Sequence, residues 1–166
     1  MRPTADRLRE TLFNVLSSAG ELDGSVWLDL FAGTGAVGIE AASRGARMVY
    51  FVESTKKAAA VLRENLAALQ IIDGYEIHER EAESAVRLLD SLKVACDYVF
   101  LDPPYANKKA YEDVLGFLSQ STLASEHTVV IAEHDKHFDP GERFGALQRY
   151  RKLEQGDAVL SFFKLA

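Results

Sequence analysis

Cysteine is almost absent from this sequence: Cys96 is the only one in 166 residues. An internal disulfide is therefore excluded, and so is a metal site built from several thiolates. Following Val94-Ala95, Cys96 reads as a buried small side chain. The four histidines, His78, His127, His134 and His137, show no metal-ligand spacing with the cysteine or with one another. His134 and His137 stand three apart, but Pro140-Gly141 argues against a helix there, so no metal is expected. No Ser–His–Asp arrangement is legible. Long apolar runs are also missing. Nothing approaches the roughly 20 residues needed to span a bilayer, and no secretory signal opens the sequence, so a cytoplasmic location is expected. Repeats, low-complexity tracts and linkers are lacking, which leaves a single domain over residues 1–166 with room for a sizeable core. Positive charge is in deficit too, with a formal net charge of −6. That balance argues against a strong, non-specific nucleic-acid binder but permits a local basic patch.

What the chain does contain is centred on Trp27-Leu28-Asp29-Leu30-Phe31-Ala32-Gly33-Thr34-Gly35-Ala36-Val37-Gly38. Val26 to Phe31 is apolar except at Asp29, as expected for a parallel strand covered on both faces. Gly33, Gly35 and Gly38 fit G-x-G-x-x-G, where glycines permit a tight turn and close approach of a ligand to a helix N-terminus. Alone, this pattern does not separate a nucleotide-type site from an ordinary strand–helix turn.

Two further stretches do. Val49-Tyr50-Phe51-Val52-Glu53 is a second apolar run ending in an acid, and Glu53 lies 20 residues after Gly33. A carboxylate at that spacing can accept hydrogen bonds from ribose hydroxyls. Asp97-Tyr98-Val99-Phe100-Leu101-Asp102-Pro103-Pro104-Tyr105 is another apolar strand, and the prolines force the chain out of the sheet. Ligands of open α/β sheets bind beyond the carboxyl ends of the strands, so the three strand ends describe one cleft.

These residues resemble the class I S-adenosylmethionine-dependent methyltransferases, in the Asp-Pro-Pro-Tyr form that acts on exocyclic amino groups of bases. More narrowly, Arg2-Pro3-Thr4-x-Asp6-Arg7-x-Arg9-Glu10-x-Leu12-Phe13-Asn14 with Leu28-Asp29-Leu30-Phe31-Ala32-Gly33-Thr34-Gly35 resembles the RsmD family. The members of that family are guanine-N2 methyltransferases of small-subunit (16S) rRNA. The resemblance runs from Arg2 to about Lys164. It implies S-adenosylmethionine as cofactor, with Thr4, Asp29, Phe31, Gly33, Gly35, Glu53, Ser54, Glu81 and Ala82 at its binding site. It implies Asp102, Pro103, Pro104 and Tyr105 as the catalytic residues. Relatives usually place Asp or Asn where Glu81 stands, near the adenine amino group. They usually open with a basic β-hairpin segment, and this sequence starts after it, so modest affinity for free RNA is expected. The implied partner is rRNA within a small-subunit particle.

Taken in order, Pro3 to about Ala19 predicts a helix, capped by Thr4 or Asp6, with Leu8, Leu12, Val15 and Leu16 on one face. The resemblance suggests that this segment closes over the methionine end of the cofactor. Ala36 to Arg44 is the helix after the glycine loop, ended by Gly45. Met48 to Glu53 is the second strand, and Ser54 is expected to cap a helix reaching about Gln70. Tyr75 to Arg80 is a third strand and Ala85 to Leu92 a short helix. Asp97 to Asp102, Lys108 to Ser119 and Thr128 to Glu133 follow as strand, helix and strand. Phe144 to Leu153 and Ala158 to Leu165 form an antiparallel hairpin. The expected fold is thus α/β and Rossmann-like: a seven-stranded, mostly parallel sheet with an antiparallel edge hairpin and helices on both faces.

The chemistry such a cleft would perform can be stated from its residues. An exocyclic base amine is a poor nucleophile because its lone pair is delocalised into the ring. The Asp102 carboxylate and the Pro103 carbonyl can accept its two N–H bonds and aim that lone pair, while two prolines stiffen the chain. Tyr105 offers a flat face for stacking. The base must be unpaired or flipped out to enter. Three other readings compete. A DNA adenine-N6 methyltransferase shares the motif but needs a target-recognition domain for which 166 residues leave no room. An NAD-dependent oxidoreductase would leave Asp29 and Asp-Pro-Pro-Tyr unexplained. A binding module could keep the fold without activity.

Overall fold

Apolar runs that alternate with helical periodicity fold here as strand–helix units. A computed structural model describes residues 3–166, with side chains from Ala5 onward. The Thr4 side chain, expected at a helix cap and in the cofactor site, lies outside the described residues, as does Arg2 of the opening motif. The elements are α1 (Pro3–Ala19), β1 (Val26–Leu30), α2 (Ala36–Ser43), β2 (Met48–Val52), α3 (Lys56–Ala68), β3 (Tyr75–His78) and α4 (Ala82–Ser91). They continue with β4 (Cys96–Leu101), α5 (Lys109–Leu118), β5 (Ala124–Asp135), β6 (Arg143–Phe144), β7 (Leu147–Gln155) and β8 (Ala158–Leu165).

The strands form one sheet in the order β3-β2-β1-β4-β5-β8-β7-β6. The first five run parallel, and β8, β7 and β6 are antiparallel to their neighbours. The expected seven strands are therefore eight. The addition, β6, is two residues long and pairs Arg143 with Gln148 and Phe144 with Leu147. A strand that short carries no alternation to read. The β7–β8 hairpin turns through Gly156-Asp157, with φ +62° at Gly156, as a two-residue hairpin loop led by glycine requires.

Alternation along β1 divides the core. Val26, Leu28 and Leu30 pack with α4 and α5 residues such as Val86, Leu89, Val114 and Leu115. Trp27 faces the other way, among Leu8, Leu12, Phe13 and Leu16 of α1 and Leu62 and Leu66 of α3. Phe13, Trp27 and Tyr98 stack in series, with centroids 5.3 and 4.7 Å apart. Cys96 is buried, where dehydration pushes its thiol up to about 12, so it remains an inert small side chain. No helix among the described residues is long and apolar enough to cross a membrane.

The strand expected from Phe144 to Leu153 is Leu147–Gln155, with Phe144 in β6, and three further boundaries differ. Thr55, not Ser54, caps α3, its Oγ1 accepting the Ala58 N–H at 3.3 Å. The helix expected from Ala85 begins at Ala82, because Glu81 already has extended geometry and serves as the N-cap residue. β5 runs from Ala124 to Asp135 rather than from Thr128 to Glu133, since its antiparallel partner β8 extends the ladder as far as Asp135.

Candidate active site

In this strand order β1 leads outward to β2 on one side and across to β4 on the other. That reversal opens a crevice at the carboxyl ends of β1 and β4, where open α/β sheets take their ligands. The glycine loop and Asp-Pro-Pro-Tyr both emerge into it.

The glycine loop is held by side chains from three directions. Glu53 Oε1 accepts the Gly33 N–H at 2.8 Å, while its Oε2 accepts the Thr55 N–H at 2.9 Å and the Thr55 hydroxyl at 3.0 Å. Asp29 Oδ2 accepts the Gly38 N–H at 3.0 Å, tying β1 to the start of α2. Asn65 Nδ2 of α3 donates to the Thr34 carbonyl at 3.0 Å. The glycines serve different ends. Gly33 sits at φ +57° with open space where a Cβ would stand, so the backbone is bare to the cleft. At Gly38 a Cβ would come within 2.3 Å of the Phe51 ring, so this glycine lets α2 lie against β2. Phe31 adopts φ +60°, an uncommon geometry for an aromatic residue that costs about 1–3 kcal/mol where it persists.

Two cavities meet at Phe31. One, of about 490 Å³, is lined by Leu8, Arg9 and Leu12 of α1, by Asp29, Phe31 and Gly33, and by Asp102 and Glu133. The other, of about 600 Å³, is lined by Phe31, Glu81, Ala82, Arg87 and Asn107 among others. The first is acidic and suits a cationic group; the second is wide enough for a flat heterocycle.

The first cavity's acids are electrostatically tense. Burial lifts Asp29 to about 7 against the pull of the Gly38 N–H, with Asp102 and Glu53 adding repulsion. Asp102 is open to the cleft, yet loss of hydration to the protein around it pushes it up to about 6. Glu133 is pushed to about 8 by dehydration and then by the neighbouring Asp102 charge.

Beyond Asp102 the chain turns sharply. Pro103 is buried and Pro104 exposed, and the Asn107 N–H bonds the Pro104 carbonyl at 2.8 Å. Tyr105 stands 75% exposed and lines neither cavity. The Lys108 ammonium lies 5.2 Å from the Tyr105 centroid and 5.2 Å from that of Phe138.

The structure thus brings Asp29, Phe31, Gly33 and Asp102 to one cavity, and Phe31, Glu81 and Ala82 to its neighbour. Glu53 and Gly35 shape the loop from behind, and Ser54 is exposed and lines neither cavity. Glu133 and Asn107 were missed. Glu133 ends the apolar run Val129-Val130-Ile131-Ala132 just as Glu53 ends its own, a signal legible in the sequence; Asn107 carries none. The histidines are accounted for locally. His134 contacts the Phe138 carbonyl and the Ser161 hydroxyl, each at 2.8 Å, and His137 contacts Asp135 at 2.9 Å.

Known proteins resemble this chain in sequence and fold. Residues 1–164 match the family described as "Conserved hypothetical protein 95". The chain is 32% identical to "Putative rRNA methyltransferase YlbH" of Bacillus subtilis, over 98% of this chain and 87% of that protein. It is 37% identical to "Ribosomal RNA small subunit methyltransferase D" of Haemophilus influenzae, over 82% of this chain and 69% of that protein. A solved structure of a conserved hypothetical protein from Streptococcus pyogenes superposes with a TM-score of 0.84 at 30% identity, covering 95% of each chain. With the family matched over nearly its whole length, and with that identity to ribosomal RNA small subunit methyltransferase D, the chain belongs to the RsmD family.

Proposed function

We propose that this protein is an S-adenosylmethionine-dependent rRNA methyltransferase, and that it acts on the exocyclic N2 amine of a guanine in small-subunit (16S) rRNA. The observation that carries the reading is the meeting of Asp102-Pro103-Pro104-Tyr105 and the glycine loop across one switch-point crevice, with the Asp102 carboxyl facing a cavity beside Gly33. Membership of a family that includes rRNA methyltransferases supports it.

The residues present fit the cofactor. Asp29, Asp102 and Glu133 make one cavity acidic, matching a ligand with cationic groups, and Gly33 leaves the loop backbone bare beside it. The second cavity, with Phe31, Glu81 and Ala82, accommodates a flat base. A carboxylate has about four acceptor positions, and three donors already use those of Glu53, so one remains for a ribose hydroxyl. The cofactor supplies the electrophile, a methyl group on a positively charged sulfonium.

The chain supplies position and field. Asp102, ionised above about pH 6, accepts one N–H of the target amine, and the Pro103 carbonyl accepts the other. The amine lone pair is then turned out of conjugation. Tyr105 stacks on the base, a contact worth about 1–3 kcal/mol. Asp102 takes the proton that the amine sheds as it is alkylated, and water relieves it afterwards.

The substrate we favour is rRNA already shaped within a small-subunit particle. The chain carries a net charge of −6. Of the basic residues on the edge strands, Arg149 is bound bidentately by Asp139 at 2.8 and 3.1 Å. Arg151 lies over the Phe162 ring, and Lys152 is 3.9 Å from Asp139. These edge-strand cations are engaged within the protein, and contacts to naked RNA through other cations would be steeply salt-dependent. The test is transfer of labelled methyl groups to small-subunit particles, protein-free rRNA and DNA, followed by nucleoside analysis. N2-methylguanosine from particles is expected. N6-methyladenosine, or a label on DNA alone, would overturn the reading.

A further inference from the structure

We infer that Glu133 reads the guanine itself, accepting the N1–H of the base while Asp102 and the Pro103 carbonyl take the two N–H bonds of its N2 amine. The inference rests on the guanine-N2 reading above and assigns its base specificity to a residue outside the Asp-Pro-Pro-Tyr motif.

The placement comes from the sheet. β4 and β5 are parallel neighbours whose ladder ends with Leu101 opposite Ala132, so the next residues, Asp102 just past β4 and Glu133 still within β5, stand side by side. Phe100 and Ile131, two positions earlier on each strand, belong to the same core cluster, which puts the alternate residues Asp102 and Glu133 on that same face. Both line the cavity that also holds Asp29 and Gly33. The Glu133 carbonyl accepts the Tyr111 hydroxyl at 2.7 Å, which anchors this strand end from α5.

Among the described residues the carboxyl groups of Asp102 and Glu133 have no hydrogen-bond or ion-pair partner, whereas the other two acids nearby on the sheet, Asp29 and Glu53, do. Two adjacent acids without donors are costly to hold. A guanine removes that cost, because its Watson–Crick edge presents the N1–H and the two N2–H donors in a row. Two carboxylates and one carbonyl are three acceptors for these three donors. Adenine presents an unprotonated N1 at the position facing Glu133, so lone pair would meet carboxylate. A site built to bond a donor rejects the analogue lacking it more sharply than a difference in shape can.

The experiment replaces the target guanine with 2-aminopurine, which keeps the exocyclic 2-amine but has no N1–H. Target RNA is made with each base, as an oligonucleotide or within reconstituted small subunits, in whichever form the wild-type protein methylates. Rates are compared at pH 8.5, above the value of about 8 to which burial pushes Glu133. The wild type is expected to prefer guanine by about 10- to 100-fold in kcat/KM, the range that follows from a hydrogen bond to a charged group. Glu133→Gln, whose amide can donate to an unprotonated N1, is expected to bring that ratio to within about threefold or to invert it. The ratio is taken within one preparation, so a partly unfolded variant does not distort it. An unchanged ratio in Glu133→Gln, or a wild type indifferent to the replacement, overturns the role of Glu133 and leaves the guanine-N2 reading standing. Wild-type transfer to no RNA guanine at all overturns that reading, and this inference with it.

Discussion

Two pairs of acids stand toward the carboxyl ends of four adjacent strands, and they are treated differently. Asp29 and Glu53, on β1 and β2, have their oxygens engaged by the backbone N–H groups of Gly33, Gly38 and Thr55. Asp102 and Glu133, on β4 and β5, face the cavity with no such donors. The first pair builds the loop on which a ligand rests. The second is held in a destabilising state that a ligand's donors would relieve, as expected of groups kept for function rather than for folding.

Removing Asp102 breaks the second half of this contrast most severely. Asp102→Ala is expected to lower kcat by about 100- to 1000-fold, the scale seen when one preorganised partner of a reacting group is lost. Cofactor affinity should fall far less, and the urea unfolding midpoint should hold or rise because a strained acid is gone. Single-turnover transfer and chemical denaturation check both. A comparable loss in cofactor affinity would place Asp102 in binding rather than in chemistry.

Glu53→Ala attacks the first half and should behave in the opposite sense. Cofactor binding is expected to weaken by about 1.5–3 kcal/mol, the scale of hydrogen bonds to a charged group, with a lower unfolding midpoint because Gly33 and Thr55 lose their acceptor. Calorimetry on folded protein gives the affinity. An unchanged dissociation constant removes Glu53 from the ribose site.

Tyr105 tests the stacking contact. Tyr105→Ala is expected to lose about 1–3 kcal/mol of base stacking, seen in KM for RNA, while Tyr105→Phe retains most activity. Equal losses in both would point to the hydroxyl.

The smallest expected effect is on stability against pH. Asp29, Asp102 and Glu133 are raised in the folded protein to about 7, 6 and 8, whereas in an unfolded chain they titrate near 4. Between those limits the folded state holds more protons, so these groups lower stability as pH rises from about 4 to about 8. Asp139, held low by Arg149, works the other way: its contribution is present above about pH 4 and is lost as pH falls through its depressed value. The ligand-free protein should therefore have a higher urea midpoint at pH 5 than at pH 8, and Asp29→Asn or Glu133→Gln should narrow the difference. A midpoint that climbs steadily to pH 8 in the wild type would contradict the strain assigned to these acids.

Local pattern was enough for much of this. Apolar runs against helical spacing specified the parallel strands and the five helices, because each element must bury one face or two and its period records which. The three strand ends that make the cleft were legible for the same reason: a parallel sheet places every strand's carboxyl end on one side, so Gly33, Glu53 and Asp102 had to converge. What local pattern could not carry was anything decided between elements. β6 exists only because a partner strand lies beside it, and β5 is long only because β8 continues its ladder. That Glu53 holds the loop, that Thr55 rather than Ser54 caps α3, and that Glu133 stands next to Asp102 depend on distances across the sheet. The sequence alone determined that this chain is a mostly parallel α/β fold with an acid-lined crevice. Only the tertiary structure decided which acids are engaged by backbone donors and which are not, because hydrogen-bond donors reach a side chain through space and not along the chain.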